Sequence, residues 1–351
     1  MKKLFSTLIV LATAAMFSFA QDSVLWIRHG SISPDGSRIA FSWQGDIYTV
    51  PVQGGKAEQI TVHPEYESEP MWTADGSKIV FSSYREGSKD IFVTSLRGGS
   101  PQRLTTYSGN ETPLCVSADG FVWFSANIEP DPQYSGYPGS PQLYKVSLEG
   151  GAPLRVASLP VGAVSVAPDG SVLYEDNKGY EDVLRKHHTS AVTRDIWLYK
   201  GPSDDWGQGS FTRLTAFGGE DRNPVFSADG KSFYYLSEQG GNFNVWCAPV
   251  DNPSAARQLS SLPVHPVRSL SVASDGTMAF SYNGELYTLR EGGSPVKLSV
   301  SIAKDLSVNK TMRRRIAAGA RDLAVSPNGK EVAIVARGDV FVTSVDYAGT
   351  R

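Results

Sequence analysis

Three recurring features predict an all-β fold, a propeller of four-stranded antiparallel blades. An Asp-Gly turn, once Asn-Gly, returns at Asp35-Gly36, Asp75-Gly76, Asp119-Gly120, Asp169-Gly170, Asp229-Gly230, Asp275-Gly276 and Asn328-Gly329. An apolar–aromatic pair returns as Ile47-Tyr48, Ile91-Phe92, Leu143-Tyr144, Ile196-Trp197, Val245-Trp246, Leu286-Tyr287 and Val340-Phe341. Gly-Gly follows at Gly54-Gly55, Gly98-Gly99, Gly150-Gly151 and Gly292-Gly293. Asp-Gly between apolar runs is a hairpin signal, because Gly tolerates positive φ and Asp bonds nearby backbone. The apolar–aromatic pairs suit a pleated strand packed on both faces. A period of about 40 to 45 residues carrying four strands is that of a propeller blade. Helical solenoids of similar period need a 3.6-residue apolar rhythm, and the sequence does not sustain one.

The first element in the chain, residues 1–20, reads as a signal peptide. Lys2 and Lys3 form a positive start, an apolar stretch runs from Leu4 to Phe19, and Ser18-Phe19-Ala20 offers small residues for cleavage after Ala20. The alternative, an N-terminal membrane anchor, is opposed by the shortness of the apolar run. The sequence therefore predicts an exported protein, periplasmic or extracellular, with no membrane association after cleavage.

Residues 21–299 read as a six-bladed propeller. The plain repeat is set by the first two turn-to-turn spacings, 40 and 44 residues. The third repeat carries a long connection at 127–141, rich in Pro, Gly and Tyr, between its second and third strands. The fourth carries two, at 176–194 between its second and third strands and at 201–210 between its third and fourth. Residues 300–320 read as a basic linker containing Arg313-Arg314-Arg315. Residues 321–351 start a seventh repeat and reach its end before a fourth strand. They are expected to be the truncated first blade of a second propeller. The competing arrangement is a single ring of seven repeats lacking one outer strand.

Composition excludes several functions. A formal net charge of −3 gathers neither nucleic acid nor anionic membrane. Two cysteines, Cys115 and Cys247, lie in different repeats and read as small buried hydrophobes rather than a disulfide framework. No Gly-x-Ser-x-Gly elbow and no phosphate-binding glycine loop occur. Of the five histidines, His63 and His265 each precede a proline in a connection between blades and read as structural. Adjacent His187 and His188, with Glu181 and Asp182 nearby, supply ligand types, but neighbours on an extended backbone point apart; no metal and no cofactor are expected. The recurring Asp residues read as turn and strand-edge groups. No catalytic residue is assigned.

The cations Arg185, Lys186 and His188, followed by Arg194, are the candidate binding group, an anion site for a peptide carboxylate whose geometry a guanidinium matches. Tyr134 and Tyr137 of the neighbouring connection are candidate rim contacts. Both connections join second to third strands in consecutive blades, so they are expected side by side on one face, where loops on a rigid scaffold commonly carry binding.

The repeat Ser33-Pro34-Asp35-Gly36, Ile39-Ala40-Phe41, Asp46-Ile47-Tyr48, Gly54-Gly55, Ile60-Thr61 resembles the propeller repeat of the TolB and tricorn groups. More specifically, Lys178-Gly179-Tyr180-Glu181-Asp182, Arg185-Lys186-His187-His188-Thr189-Ser190 and Thr193-Arg194-Asp195-Ile196-Trp197 resemble the N-terminal propeller of tricorn-type serine peptidases. The resemblance implies a non-catalytic propeller that handles peptide substrates or products, with the peptidase and PDZ regions of a longer protein as partners and a homo-oligomer at full length. That family's catalytic serine lies beyond the matched region, so no catalytic role carries over. The alternative is a free-standing periplasmic propeller of the TolB type that binds proteins. A gene read beyond Arg351 separates the two.

Overall fold

The computed structural model describes residues 24–128, 141–179, 190–303 and 318–346. The segment read as a signal peptide, the basic run at 313–315, and the middles of the connections at 127–141 and 176–194 lie outside the described residues.

Each Asp-Gly turn is built locally, as its chemistry predicts. In the first repeat the Ser37 amide donates to Asp35 Oδ1 at 3.0 Å and the Ser33 hydroxyl donates to the same oxygen at 2.6 Å. Asp75 repeats the pattern with Ser77 and Thr73, and these hydrogen bonds, the one from the Ser77 hydroxyl foremost, hold its carboxyl down at about 2. The turn joins the first two strands of each sheet. In the first sheet Arg28–Ile32, Arg38–Trp43, Asp46–Pro51 and Gly55–Gln59 pair antiparallel in chain order.

Five further sheets of four successive strands follow, beginning with Glu67–Trp72, Glu111–Val116, Val161–Val166, Asp221–Phe226 and Arg268–Val272. The first strands of neighbouring sheets pack against one another, and the first strand of the sixth sheet packs against that of the first. The ring of inner strands is therefore closed, and the architecture is that of a β-propeller. A backbone bond repeats between sheets. The amide at the head of one sheet donates to a carbonyl before the third strand of the preceding sheet, as in Glu67 to Gly45 at 2.9 Å, Glu111 to Lys89 at 2.7 Å and Asp221 to Arg194 at 3.0 Å. Ile27 donates to Gly284 at 2.9 Å in the same way, so the first sheet follows the sixth as any other follows its predecessor.

The core is divided among the interfaces between sheets rather than gathered at a centre. Ile47 and Ala40 pack with Ile79, Phe81 and Phe92 between the first two sheets. Ile39, Phe41 and Tyr48 pack with Leu286, Ala279 and Ala273 between the first and sixth. The two faces of each middle strand thus serve different interfaces, which is why these strands read as continuous apolar runs rather than alternating ones.

A separate three-stranded sheet, Ala320–Val325, Glu331–Ala336 and Asp339–Ser344, stands outside the ring. The start of the segment read as a linker is itself structured, since Val300–Ile302 pairs parallel with Gly55–Gln59 as a fifth strand of the first sheet. Both cysteines are free; Cys247 is buried, whereas Cys115, expected inside, is partly exposed.

Candidate functional site

The polar groups concentrate at one end of the ring, where the inner strands begin and where the connections at 127–141 and 176–194 leave. All six inner strands change register there. In four of them the irregularity places a non-glycine residue at positive φ: His29 at 53°, Glu69 at 57°, Asn223 at 52° and Ser269 at 55°. Bulged strands with left-handed residues are concentrated where proteins re-aim side chains. Pro70, Pro113 and Pro224 fall at or beside these irregularities and remove a ladder donor.

The side chains at this end tie neighbouring sheets together. Lys89 Nζ lies 2.8 Å from Glu69 Oε2 and donates to Thr112 Oγ1 of the third sheet at 3.2 Å. Arg194 Nη1 pairs with Glu175, whose Oε2 accepts the Asn223 amide of the fifth sheet at 2.9 Å. Asn223 Nδ2 donates to the Leu270 carbonyl at 3.2 Å and its Oδ1 accepts the Leu270 amide at 3.0 Å, reaching the sixth sheet. Gly162 lies directly beneath the Glu175–Arg194 pair; a side chain there would strike the Glu175 carboxylate. Burial works to raise the carboxyl of Glu69, but the charges of Lys89 and His29 and the hydrogen bonds from Lys89 and Ser82 outweigh it, so it lies below the ordinary value. Burial drives the His29 imidazole down, with the Glu69 carboxylate opposing it.

Of the candidate binding residues the sequence singled out, only Arg194 falls within the described region. Arg185, Lys186, His188, Tyr134 and Tyr137 lie outside the described residues. Arg194 sits where its connection re-enters the fourth sheet, with its side chain 13% exposed and engaged by Glu175. Its flanking strands, Val172–Asp176 and Ile196–Lys200, open toward the polar end of the ring, as do Phe121–Ala126 and Gln142–Ser147 of the neighbouring sheet.

Sequence reading missed His29, Glu69, Lys89, Glu175 and Asn223. One signal was present, an acid followed two or three residues later by proline at the head of three inner strands: Glu67 to Pro70, Glu111 to Pro113 and Asp221 to Pro224.

A serine and a histidine do meet here: Ser42 Oγ lies 2.8 Å from His29 Nδ1. The contact is structural in its surroundings. Ser42 is 2% exposed and also donates to the Arg28 carbonyl at 3.3 Å, while the acid facing His29, Glu69, is held by Lys89 and Ser82. Beside it, a cavity of about 520 Å³ opens between the first sheet and the three-stranded sheet, lined by Trp26, Arg28, Trp43, Tyr66, Arg337 and Asp339 among others. Arg337 donates to the Pro64 carbonyl at 3.2 Å across this gap.

A ring of four-stranded sheets with bulged, polar inner strands defines the class of protein as a β-propeller. The model of the tricorn protease N-terminal beta propeller domain matches residues 25–295, and the chain belongs to that family. Tricorn protease homolog 1 of Streptomyces coelicolor is 26% identical over 279 residues, which are 77% of this chain and 24% of the homolog. The chain thus spans about a quarter of that relative's length. The crystal structure of the tricorn protease matches with a TM-score of 0.66 at 18% identity, over 93% of this chain and 31% of that one. TolB from Acinetobacter baumannii matches with a TM-score of 0.54 at 20% identity, over 80% of this chain and 64% of that one. At these identities the structural matches speak to fold.

Proposed function

We propose that the chain is the non-catalytic propeller portion of a tricorn-like serine peptidase and handles peptide substrates or products for a peptidase region outside it. The observation that carries this reading is the family match over residues 25–295. The charged end of the ring supports it: the two long connections of the third and fourth sheets leave there, and an aromatic- and arginine-lined cavity opens at the first sheet. Peptides offer backbone amides, apolar side chains and a terminal carboxylate, and this end offers partners for each. In this reading Arg185 and Lys186 hold the carboxylate, with His188 beside them and Tyr134 and Tyr137 as apolar contacts. The protein acts outside the cytoplasm after loss of residues 1–20, which N-terminal sequencing of the secreted form tests directly.

The deciding experiment measures binding of short peptides with free and with amidated C-termini to the parent chain and to Arg185→Ala/Lys186→Ala. A charge-assisted hydrogen bond contributes about 1.5–3 kcal/mol. The double variant is expected to bind free-carboxylate peptides roughly tenfold or more weakly and to lose its preference over the amidated form. Equal affinity of a folded double variant for both peptides, matching the parent, removes the carboxylate role. The chain itself is expected to leave peptides uncleaved; turnover blocked by a serine-directed inhibitor overturns that part.

A further inference from the structure

At five of the six interfaces in the ring, the chain itself passes from the outer strand of one sheet into the inner strand of the next. The interface between the sixth and first sheets has no such passage, because the four antiparallel strands of each sheet are successive in the chain and neither of these two sheets takes an antiparallel strand from the other's end of the ring. What crosses there instead is the segment after the sixth sheet. Leu298 still belongs to that sheet, its amide donating to the Leu286 carbonyl at 2.9 Å. One residue later the Ser299 carbonyl accepts the Gly55 amide of the first sheet at 2.7 Å. Val300, Ser301 and Ile302 then pair in parallel with Gly55, Lys56 and Ala57. Leu298 and Val300 are buried, 5% and 4% exposed, in the same apolar cluster as Ile39 and Phe41 of the first sheet and Leu286 of the sixth.

From this geometry we infer that residues 299–302 are a strap that closes the ring, and that its release opens the seam between the first and sixth sheets ahead of every other interface. The strap supplies, on the outer rim, the covalent passage that the other interfaces have from outer to inner strand. Gly54 makes room for it. Gly54 has φ +86°, and a Cβ there would lie 2.6 Å from the Ser299 carbonyl oxygen. The corresponding Gly98, φ +81°, has nothing within 4 Å of the same position. The two glycines share a backbone conformation and differ in what lies over them.

That difference provides the test. Hydrogen–deuterium exchange is measured on the parent 351-residue chain, on Gly54→Ala and on Gly98→Ala. Both alanines strain the turn alike, so only the first should unseat the strap. Gly54→Ala is expected to speed exchange on the order of tenfold at 300–302 and at the seam amides Ile27 and Ser274, with Gly98→Ala leaving these amides at the parent rate. Faster exchange of 300–302 with unchanged seam amides overturns the closing role, and so does identical behaviour of the two variants. A second arm does not depend on Gly54→Ala folding: Lys56→Cys/Ser301→Cys places thiols on register partners. Its oxidised form is expected to slow exchange at Ile27 and Ser274 relative to its reduced form; equal rates in the two forms overturn the inference.

Discussion

Arg194 has two meanings depending on what surrounds it. In the sequence it follows a run of cations and reads as a further ligand for an anion. In the fold its guanidinium covers Glu175, whose other oxygen accepts the Asn223 amide. Removing one partner of a buried pair leaves the other charged and uncompensated, at a cost of about 3–5 kcal/mol. Arg194→Ala is therefore expected to lower the denaturation midpoint strongly, and Arg194→Ala with Glu175→Ala to recover much of the loss. Equal midpoints for parent and single variant would show that the pair holds nothing together. Trp206 is a second case. It lies in the inserted connection at 201–210, yet is 2% exposed and stacks on Tyr199 at 4.6 Å between centroids, with Tyr174 5.2 Å away. Trp206→Ala is expected to cost about 3–5 kcal/mol, the effect of a core residue rather than a loop residue, as read by denaturant unfolding.

At the scale of the element, the irregular inner strands connect local chemistry to the polar end of the ring. Each proline removes a donor and each left-handed residue turns the chain, and in five of the six inner strands one or both interrupt regular pairing at the same end. The polar groups freed there make the bonds between sheets. Asn223 illustrates the balance: its left-handed backbone is unfavourable for most residues, but its side chain bonds both backbone groups of Leu270. Asn223→Ala loses both bonds and leaves the Leu270 backbone groups without them, a cost of about 1–3 kcal/mol. Exchange at the Leu270 amide should rise in that variant while the Ser227–Ser232 turn stays protected. A rise at both sites alike would indicate global destabilisation instead.

Across the whole molecule, closing sheets into a ring buries carboxylates at the interfaces, and this sets a pH dependence. Burial pushes Glu111 up to about 7, with the Asp90 carboxylate adding to the effect and Thr105 and Arg103 opposing it. Burial likewise pushes Asp221 up to about 6. In the unfolded chain such groups titrate near 4. Between those values the folded protein holds protons the unfolded chain has released, so stability falls as pH rises through this window. Denaturant midpoints are expected to be higher at pH 5 than at pH 8 on account of these groups. Glu111→Gln and Asp221→Asn should flatten the slope, chiefly by gaining stability at pH 8. A slope unchanged in both variants would assign the pH dependence elsewhere.

The sequence by itself determined the parts whose physics is local. An Asp two residues from the amide it binds, a glycine completing the turn, and an apolar pair flanked by turns specify hairpins over a few residues, and their repetition specifies a propeller. The same locality makes the loops legible as loops: the connection at 201–210 was visible as an excess over the plain repeat. Tertiary structure alone decided where distant groups meet. Whether Arg194 is free or bound depends on Glu175, and the use of Trp206 depends on Tyr174 and Tyr199 arriving beneath it. Val300–Ile302 has no pattern of its own that names Gly55–Ala57 as its partner; that parallel pairing exists because the ring brings the sixth sheet beside the first. Local rules reach only a few residues along the chain, whereas the pairing of 300–302 and the bonds between sheets at the polar end need the ring.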